Sequence, residues 1–175
     1  MTFSAKAIVI MGISGCGKST LGNALAEATG YRFVEGDDLH TGANIAKMSA
    51  GIALTDDDRW PWLERVADVL GSANEKCGVI VSCSALKYAY RDFLRFRSQQ
   101  PILFVFPNLP VEVVRARLRH RPDHYMPPSL VDSQLAILEP PRPDERVLIL
   151  NGSPTTAQSV NLVLGYLSAL TELPT

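Results

Sequence analysis

Surplus charge of either sign is missing from this sequence. Seventeen Lys and Arg stand against 18 Asp and Glu, for a net charge of -1. That balance gives no basic footprint for DNA or RNA, so nucleic acid is not an expected partner. Cysteine is scarce too. Cys16, Cys77 and Cys83 form neither a metal-ligand spacing nor a disulfide framework, and their odd number favours a reducing compartment. No apolar run approaches the roughly 20 residues that cross a bilayer. Residues 1–6 lead straight into an apolar strand pattern, which leaves no room for a secretory leader. A soluble cytoplasmic protein without a membrane partner is the expectation. What the chain does have is 46% hydrophobic residues over 175 positions, ample for one compact domain and short for two.

Strand and helix patterns alternate along it. Short apolar runs at 7–11, 32–35, 79–83, 102–106 and 146–150 read as five strands. Helical patterns run over 20–29, 44–50, 59–73, 88–98, 111–120, 129–138 and 155–170. Asp56, Asp57 and Asp58 crowd one helix start, where carboxylates suit the dipole, and Pro61 falls in the first turn of that reading. Pro101 and Pro107 bound the fourth strand. This alternation predicts an α/β fold in three layers, a five-stranded parallel sheet with helices on both faces. No repeat or low-complexity linker divides it, so residues 1–175 read as a single domain.

The stretch Gly12-Ile13-Ser14-Gly15-Cys16-Gly17-Lys18-Ser19 fits the phosphate-loop pattern G-x-x-x-x-G-K-[ST] without mismatch. A strand precedes it and a helix follows, as the pattern requires. Glycines let backbone N–H groups turn inward around a phosphate, and the helix points its positive end at the same anion. Lys18 is then placed to reach the β- and γ-phosphates of ATP, and the Ser19 hydroxyl to hold Mg²⁺.

Many families share such a loop, and absences narrow the choice. No Asn-Lys-x-Asp occurs, so the usual guanine-reading motif is missing. The third strand runs into Ser84 with no aspartate at its tip, so the usual metal-side acid of ATPases is absent. A small phosphotransferase needs an acid near metal and acceptor. Asp37, after the second strand, is the best candidate, because carboxyl ends of parallel strands face the ligand crevice. Its role is open between taking the acceptor proton, orienting the hydroxyl and holding a metal-bound water.

Several further stretches carry a resemblance. They are Gly36-Asp37-Asp38-Leu39-His40, Asn44, Lys47-Met48, the run from Leu54 to Leu63, Cys83-Ser84-Ala85-Leu86-Lys87, Tyr90-Arg91-Asp92, Arg117 to Arg121, His124-Tyr125-Met126, Ser133-Gln134 and Leu138-Glu139. Together with the loop, the chain resembles the gluconokinase family from its first strand to about Pro140. The Asp-Arg-x-Pro-Trp-Leu and Ser-Ala-Leu-Lys elements are far more specific than the loop. The resemblance implies a nucleoside-monophosphate-kinase-like domain with a helical lid at about 115–139. It implies transfer of the ATP γ-phosphate to the 6-hydroxyl of D-gluconate, with a homodimer as an expectation. Thr41, Tyr88 and Pro122-Asp123 depart from the family pattern, the last pair within the lid. The alternatives are another small-acceptor kinase such as a shikimate-type enzyme, or an ATP-binding regulatory module without turnover.

Residue by residue, the resemblance puts Lys18, Asp37, Arg117 and Arg121 in catalysis. Gly12, Ile13, Ser14, Gly15, Cys16, Gly17, Lys18, Ser19 and Thr20 would hold the nucleotide, Ser19 also the metal. Asp37, His40, Arg59, Ser84, Lys87, Arg91, His124 and Gln134 would meet the acceptor. A planar guanidinium at Arg59 suits a sugar-acid carboxylate. Lys87 and Arg91 lie four apart, which a helix would stack on one face. Trp60 and Trp62 read as structural, and Gly152-Ser153-Pro154 as the adenine edge.

Overall fold

The structure, a computed structural model, describes residues 5–119 and 128–172. The chain runs β1 (Ala7–Ile10), α1 (Lys18–Thr29), β2 (Arg32–Glu35), α2 (Gly42–Ser49), α3 (Asp56–Gly71), β3 (Val79–Ser82), α4 (Tyr88–Ser98), β4 (Ile102–Asn108), α5 (Val111–Arg119), α6 (Pro128–Ile137), β5 (Val147–Asn151) and α7 (Thr156–Glu172). A 3-10 turn, Gly36–Leu39, follows β2. All strand pairs are parallel, in the order β2-β3-β1-β4-β5. No helix among the described residues is long and apolar enough to cross a membrane.

Strand periodicity divides the core in two. Ala7 and Val9 of β1, with Ile102, Phe104 and Phe106 of β4, face a cluster built with Trp62, Leu63, Val66 and Leu70 of α3 and Tyr90 and Leu94 of α4. Ile8, Ile10, Leu103 and Val105 face the opposite cluster, with Leu21 and Leu25 of α1 and Val163 of α7. Every residue of β1 is fully buried, since the strand is central and covered on both faces. A third cluster, containing Ile13, Cys16, Leu86, Val114 and Val131, seats α5 and α6 beside the phosphate loop.

Two boundaries differ from the sequence reading. Helix α3 begins at Asp56, because Thr55 caps it: Asp58 N–H donates to Thr55 Oγ1 at 3.3 Å, and Asp58 Oδ2 accepts from Thr55 N–H at 2.9 Å. All three aspartates are therefore in the first turn, and Pro61 lies inside the helix beyond it. Strand β4 continues through Pro107 to Asn108. Its pairing with β1 ends at Val105, so beyond that point β5 is its one paired strand among the described residues and the missing N–H is tolerated.

Arg91 corrects a functional expectation. It is fully buried, and its guanidinium is spent inside the fold. Nε and Nη2 donate to the two carboxylate oxygens of Glu145 at 2.6 and 2.8 Å, and Nη1 to the carbonyls of Ala85, Leu86 and Glu139 at 3.1 to 3.3 Å. It therefore ties α4 to the segment entering β5 and presents no charge to an acceptor. Lys87 does not share a helical face with it, because Lys87 is the extended N-cap residue of α4. Its amine is bound to Asp56 at 2.8 Å.

Burial opposes the charge on Glu145, but hydrogen bonds from Arg91 and the Arg142 N–H hold its carboxyl down from 4.5 to about 2. The side chain is 2% exposed, so the pair is shielded from solvent. A folded-state value below the unfolded one stabilises the fold fully above about pH 4.5 and loses that contribution as pH falls toward about 2. Arg91→Met removes the bidentate partner of Glu145, leaving it Arg95 at 3.3 Å and the Arg142 N–H at 2.9 Å, and takes a donor from three carbonyls; a loss of about 3 kcal/mol in urea unfolding at neutral pH is expected. The acid limb of stability between those pH values should be shallower in that variant.

Candidate active site

The glycine-lined loop is clamped from below before it opens toward solvent. Met11 N–H donates to the Val105 carbonyl at 2.8 Å, and Gly12 N–H to the Ser84 carbonyl at 3.0 Å. Gly15 and Gly17 have φ of 83° and 96°, the left-handed region that side chains rarely enter. There is also no room for one at Gly15, where a Cβ would lie 2.8 Å from Leu118 Cγ. At Gly17 it would lie 3.4 Å from an Arg117 guanidinium nitrogen. Helix α5 thus lies against the loop and brings Arg117 to it.

A cleft of about 880 Å³ opens over this loop. Residues 14–21 line it with Glu35, Asp37 and Arg117, and Pro154, Thr156 and Ser159 stand at the β5–α7 end. Gly12 and Ile13 do not line it. Gly12 anchors the loop, and the Ile13 side chain is in the core while its carbonyl accepts from Lys18 Nζ at 3.0 Å. Burial pushes the Cys16 thiol up, and the Cys83 thiol up to about 12, so neither is a nucleophile at neutral pH.

A second, smaller pocket of about 40 Å³ adjoins it. Its lining includes Ser14, Lys18, Asp37, His40, Arg59, Ser84 and Gln134, with Met48, Ala53 and Leu54 as an apolar side. Ser14, Lys18 and Asp37 line both cavities. Two chambers therefore share a wall made of a loop residue, an ammonium and a carboxylate.

The supports of that wall come from several elements. Ser82 Oγ accepts from Gly36 N–H at 3.0 Å and donates to Glu35 Oε1 in a short hydrogen bond. A Cβ on Gly36 would fall 1.8 Å from the Ser82 carbonyl oxygen, so only glycine lets β2 turn here toward Asp37. Trp62 Nε1–H donates to the Gly36 carbonyl at 2.7 Å, and its ring stacks on His40 at 4.3 Å and 14°. Trp60 packs edge-on against Tyr90 and Phe93. Both tryptophans are structural, and Trp62 is structural in a way that holds the site.

Arg59 is 6% exposed, and among the described residues it forms no ion pair. Its Nε is buried without a hydrogen-bond partner. Its guanidinium carbon lies 5.9 Å from the Tyr90 ring centroid, and the side chain lines the smaller pocket. Burial, and then the Arg59 charge, lowers the His40 imidazole to about 4, so that ring is neutral at physiological pH. Gln134 reaches the pocket from α6, and its Oε1 accepts from Ser14 N–H at 2.7 Å.

Of the acceptor residues expected from sequence, Asp37, His40, Arg59, Ser84 and Gln134 come together, while Lys87 and Arg91 line neither cavity. Arg121, His124 and Pro122-Asp123 lie outside the described residues. Sequence reasoning missed Glu35, one residue before Gly36-Asp37, although its position at the carboxyl end of β2 was a usable signal.

A family model described as shikimate kinase matches residues 14–142. The gluconokinase of Gluconobacter oxydans is 44% identical over 153 residues, 87% of this chain and 85% of that one. The crystal structure of a gluconokinase from Sinorhizobium meliloti 1021 superposes with a TM-score of 0.84 at 46% identity, covering 98% of this chain and 96% of that one. The shikimate kinase of Acinetobacter baumannii, with shikimate bound, gives a TM-score of 0.62 at 18% identity over 97% and 96% of the two chains. That last likeness is one of fold alone, whereas the likenesses to the two gluconokinases extend to the sequence of nearly the whole domain. The chain belongs to the gluconokinase family, on the phosphate-loop kinase fold that shikimate kinases also adopt.

Proposed function

We infer that this protein phosphorylates D-gluconate with ATP, giving 6-phospho-D-gluconate. The observation that carries the reading is the shared wall: Lys18 and Asp37 stand between a nucleotide-sized cleft and a pocket lined by buried Arg59, which forms no ion pair among the described residues and whose Nε has no hydrogen-bond partner. In this reading the loop N–H groups and the α1 N-terminus hold the phosphates, and Lys18 offsets charge on the transferring phosphoryl group. Arg117, against Gly17, adds a second cation there. Asp37 accepts the acceptor's hydroxyl proton or orients that hydroxyl, and Arg59 takes the carboxylate at the far end. Ser84 and Gln134 supply further polar contacts.

Mg²⁺ suits the oxygen donors that line the cleft, Ser19 and Glu35, since it prefers hard oxygens and retains several waters. When bound it would supply charge neutralisation between the β- and γ-phosphates. In this reading the lid that the family resemblance implies, at about 115–139, admits the acceptor to its pocket. Closure over both ligands would exclude water and limit wasteful ATP hydrolysis. Arg121 and His124 belong to this proposal as lid residues.

A coupled assay for ADP formation across gluconate, its epimers, shikimate and nucleoside monophosphates tests the reading. Turnover with gluconate well above the others is expected. Turnover with shikimate alone, or ATP binding with no acceptor-stimulated ADP release, would replace it. Lys18→Ala should lower kcat by about 10²- to 10³-fold while the far-UV circular dichroism is unchanged, because transition-state charge compensation is lost. Arg59→Ala should raise the gluconate KM by about 10- to 100-fold and leave the ATP KM within a factor of about two. An equal rise in both would make Arg59 a structural residue.

A further inference from the structure

His40 sits where its ring proton matters, and the structure decides which nitrogen carries it. The Asn44 side chain is buried, and its Nδ2 lies 2.7 Å from the Asp58 backbone carbonyl and 3.3 Å from His40 Nδ1. A carbonyl oxygen only accepts, so the Asn44 atom beside it must be the NH₂ end of the amide. That same nitrogen then offers its second hydrogen to His40 Nδ1, which must accept. A neutral imidazole with an accepting Nδ1 carries its hydrogen on Nε2.

The carbonyl that orients Asn44 is itself held. Asp58 belongs to the capping box of α3, and Lys47 Nζ lies 2.6 Å from its Oδ1. One face of the His40 ring is fixed by Trp62. Nε2 is left 4.0 Å from Asp37 Oδ1, too far for a direct hydrogen bond. It is a separation that one hydroxyl can bridge, accepting from His40 and donating to Asp37. The charged groups lining this pocket are Asp37 from the 3-10 turn, Arg59 from α3 and Lys18 from α1. Burial, and then the Arg59 charge, disfavour a further charge on the ring.

We propose that Asn44 is a positioning residue that holds His40 as the Nε2–H tautomer, so that His40 donates and Asp37 accepts at the same acceptor hydroxyl. The orientation matters because it aims the hydroxyl's own proton at Asp37 and keeps an oxygen lone pair available toward the phosphate side. The proposal deepens the reading of a polyhydroxy acid as acceptor and rests on it for the identity of that hydroxyl.

Protein labelled with ¹⁵N-histidine reports the tautomer directly. The chain has three histidines, and the His40 signals are those lost in His40→Gln. Near neutral pH and without any acceptor, His40 should show a protonated Nε2 and an unprotonated Nδ1. Asn44→Ala should populate the Nδ1–H form and raise the gluconate KM about tenfold, the worth of one oriented hydrogen bond, with the ATP KM unchanged. Asn44→Asp keeps the size but replaces the donor, and should draw a proton onto Nδ1. A wild-type Nδ1–H tautomer overturns the proposal, as does an Asn44→Ala protein with unaltered ring shifts and gluconate KM. Should neither variant fold, the wild-type spectrum still decides the tautomer. Because that spectrum needs no acceptor, a failure of gluconate as substrate is a separate result: it overturns the functional reading and leaves the Asn44–His40 assignment to the spectrum.

Discussion

The central position of β1 is the constraint on which the rest depends. A fully buried parallel strand must deliver the chain to the carboxyl edge of the sheet, because neighbours on both sides and helices on both faces leave no other exit. The loop that emerges there is irregular backbone with left-handed glycines, which alone would be mobile. It is held by β4 and by the segment after β3 through the Met11 and Gly12 N–H groups, and by Leu118 of α5 against Gly15. Burial of one strand is thus converted into a rigid cradle of N–H donors at the surface.

Around that cradle the other strand ends supply what the loop lacks. β2 turns at Gly36 into Asp37, held by Ser82 and Trp62. Helix α3 brings Arg59, buried with its Nε lacking a hydrogen-bond partner and its guanidinium 5.9 Å from the Tyr90 ring. Leaving the Arg59 Nε in that condition costs stability, which marks it off from Arg91, still more deeply buried but satisfied on every nitrogen. Two buried arginines in one small domain therefore differ: one fastens distant segments, and the other keeps a buried Nε without a hydrogen-bond partner.

The polar residues around α3 form a graded series from surface to site. Thr55 and Asp58 cap the helix, Lys47 holds Asp58, Asn44 bonds the Asp58 carbonyl, and His40 lies on Asn44 and Trp62. The Asp58 carboxyl is held down at about 2, first by Lys47, so the outer part of the series keeps its charge state across the working pH range. The neutral ring at its inner end follows from burial and from Arg59.

Much of this was legible in the chain. Apolar runs at strand length, separated by helical patterns, determined a parallel sheet with helices on both faces, because a strand buried on both sides has no polar alternation to show. The motif from Gly12 to Ser19 determined the phosphate cradle, since its glycines and lysine have one shared geometric use. Asp37 was singled out by its place at a strand's carboxyl end, and Arg59, Ser84 and Gln134 stood within the resembling motifs; the structure brings all four to one pocket. Tertiary structure decided the rest. Arg91 and Lys87 looked like a basic helical pair until Glu145 and Asp56, 54 and 31 residues away, were seen to hold them. Glu35 joined the cleft lining where β2 and the loop meet, and the orientation of the Asn44 amide beside His40 comes from a carbonyl 18 positions along the chain from that histidine. Local spacing encodes periodicity and turn geometry. Which charges are paired, and which are left for a ligand, depends on contacts between distant segments that exist only once the sheet has formed.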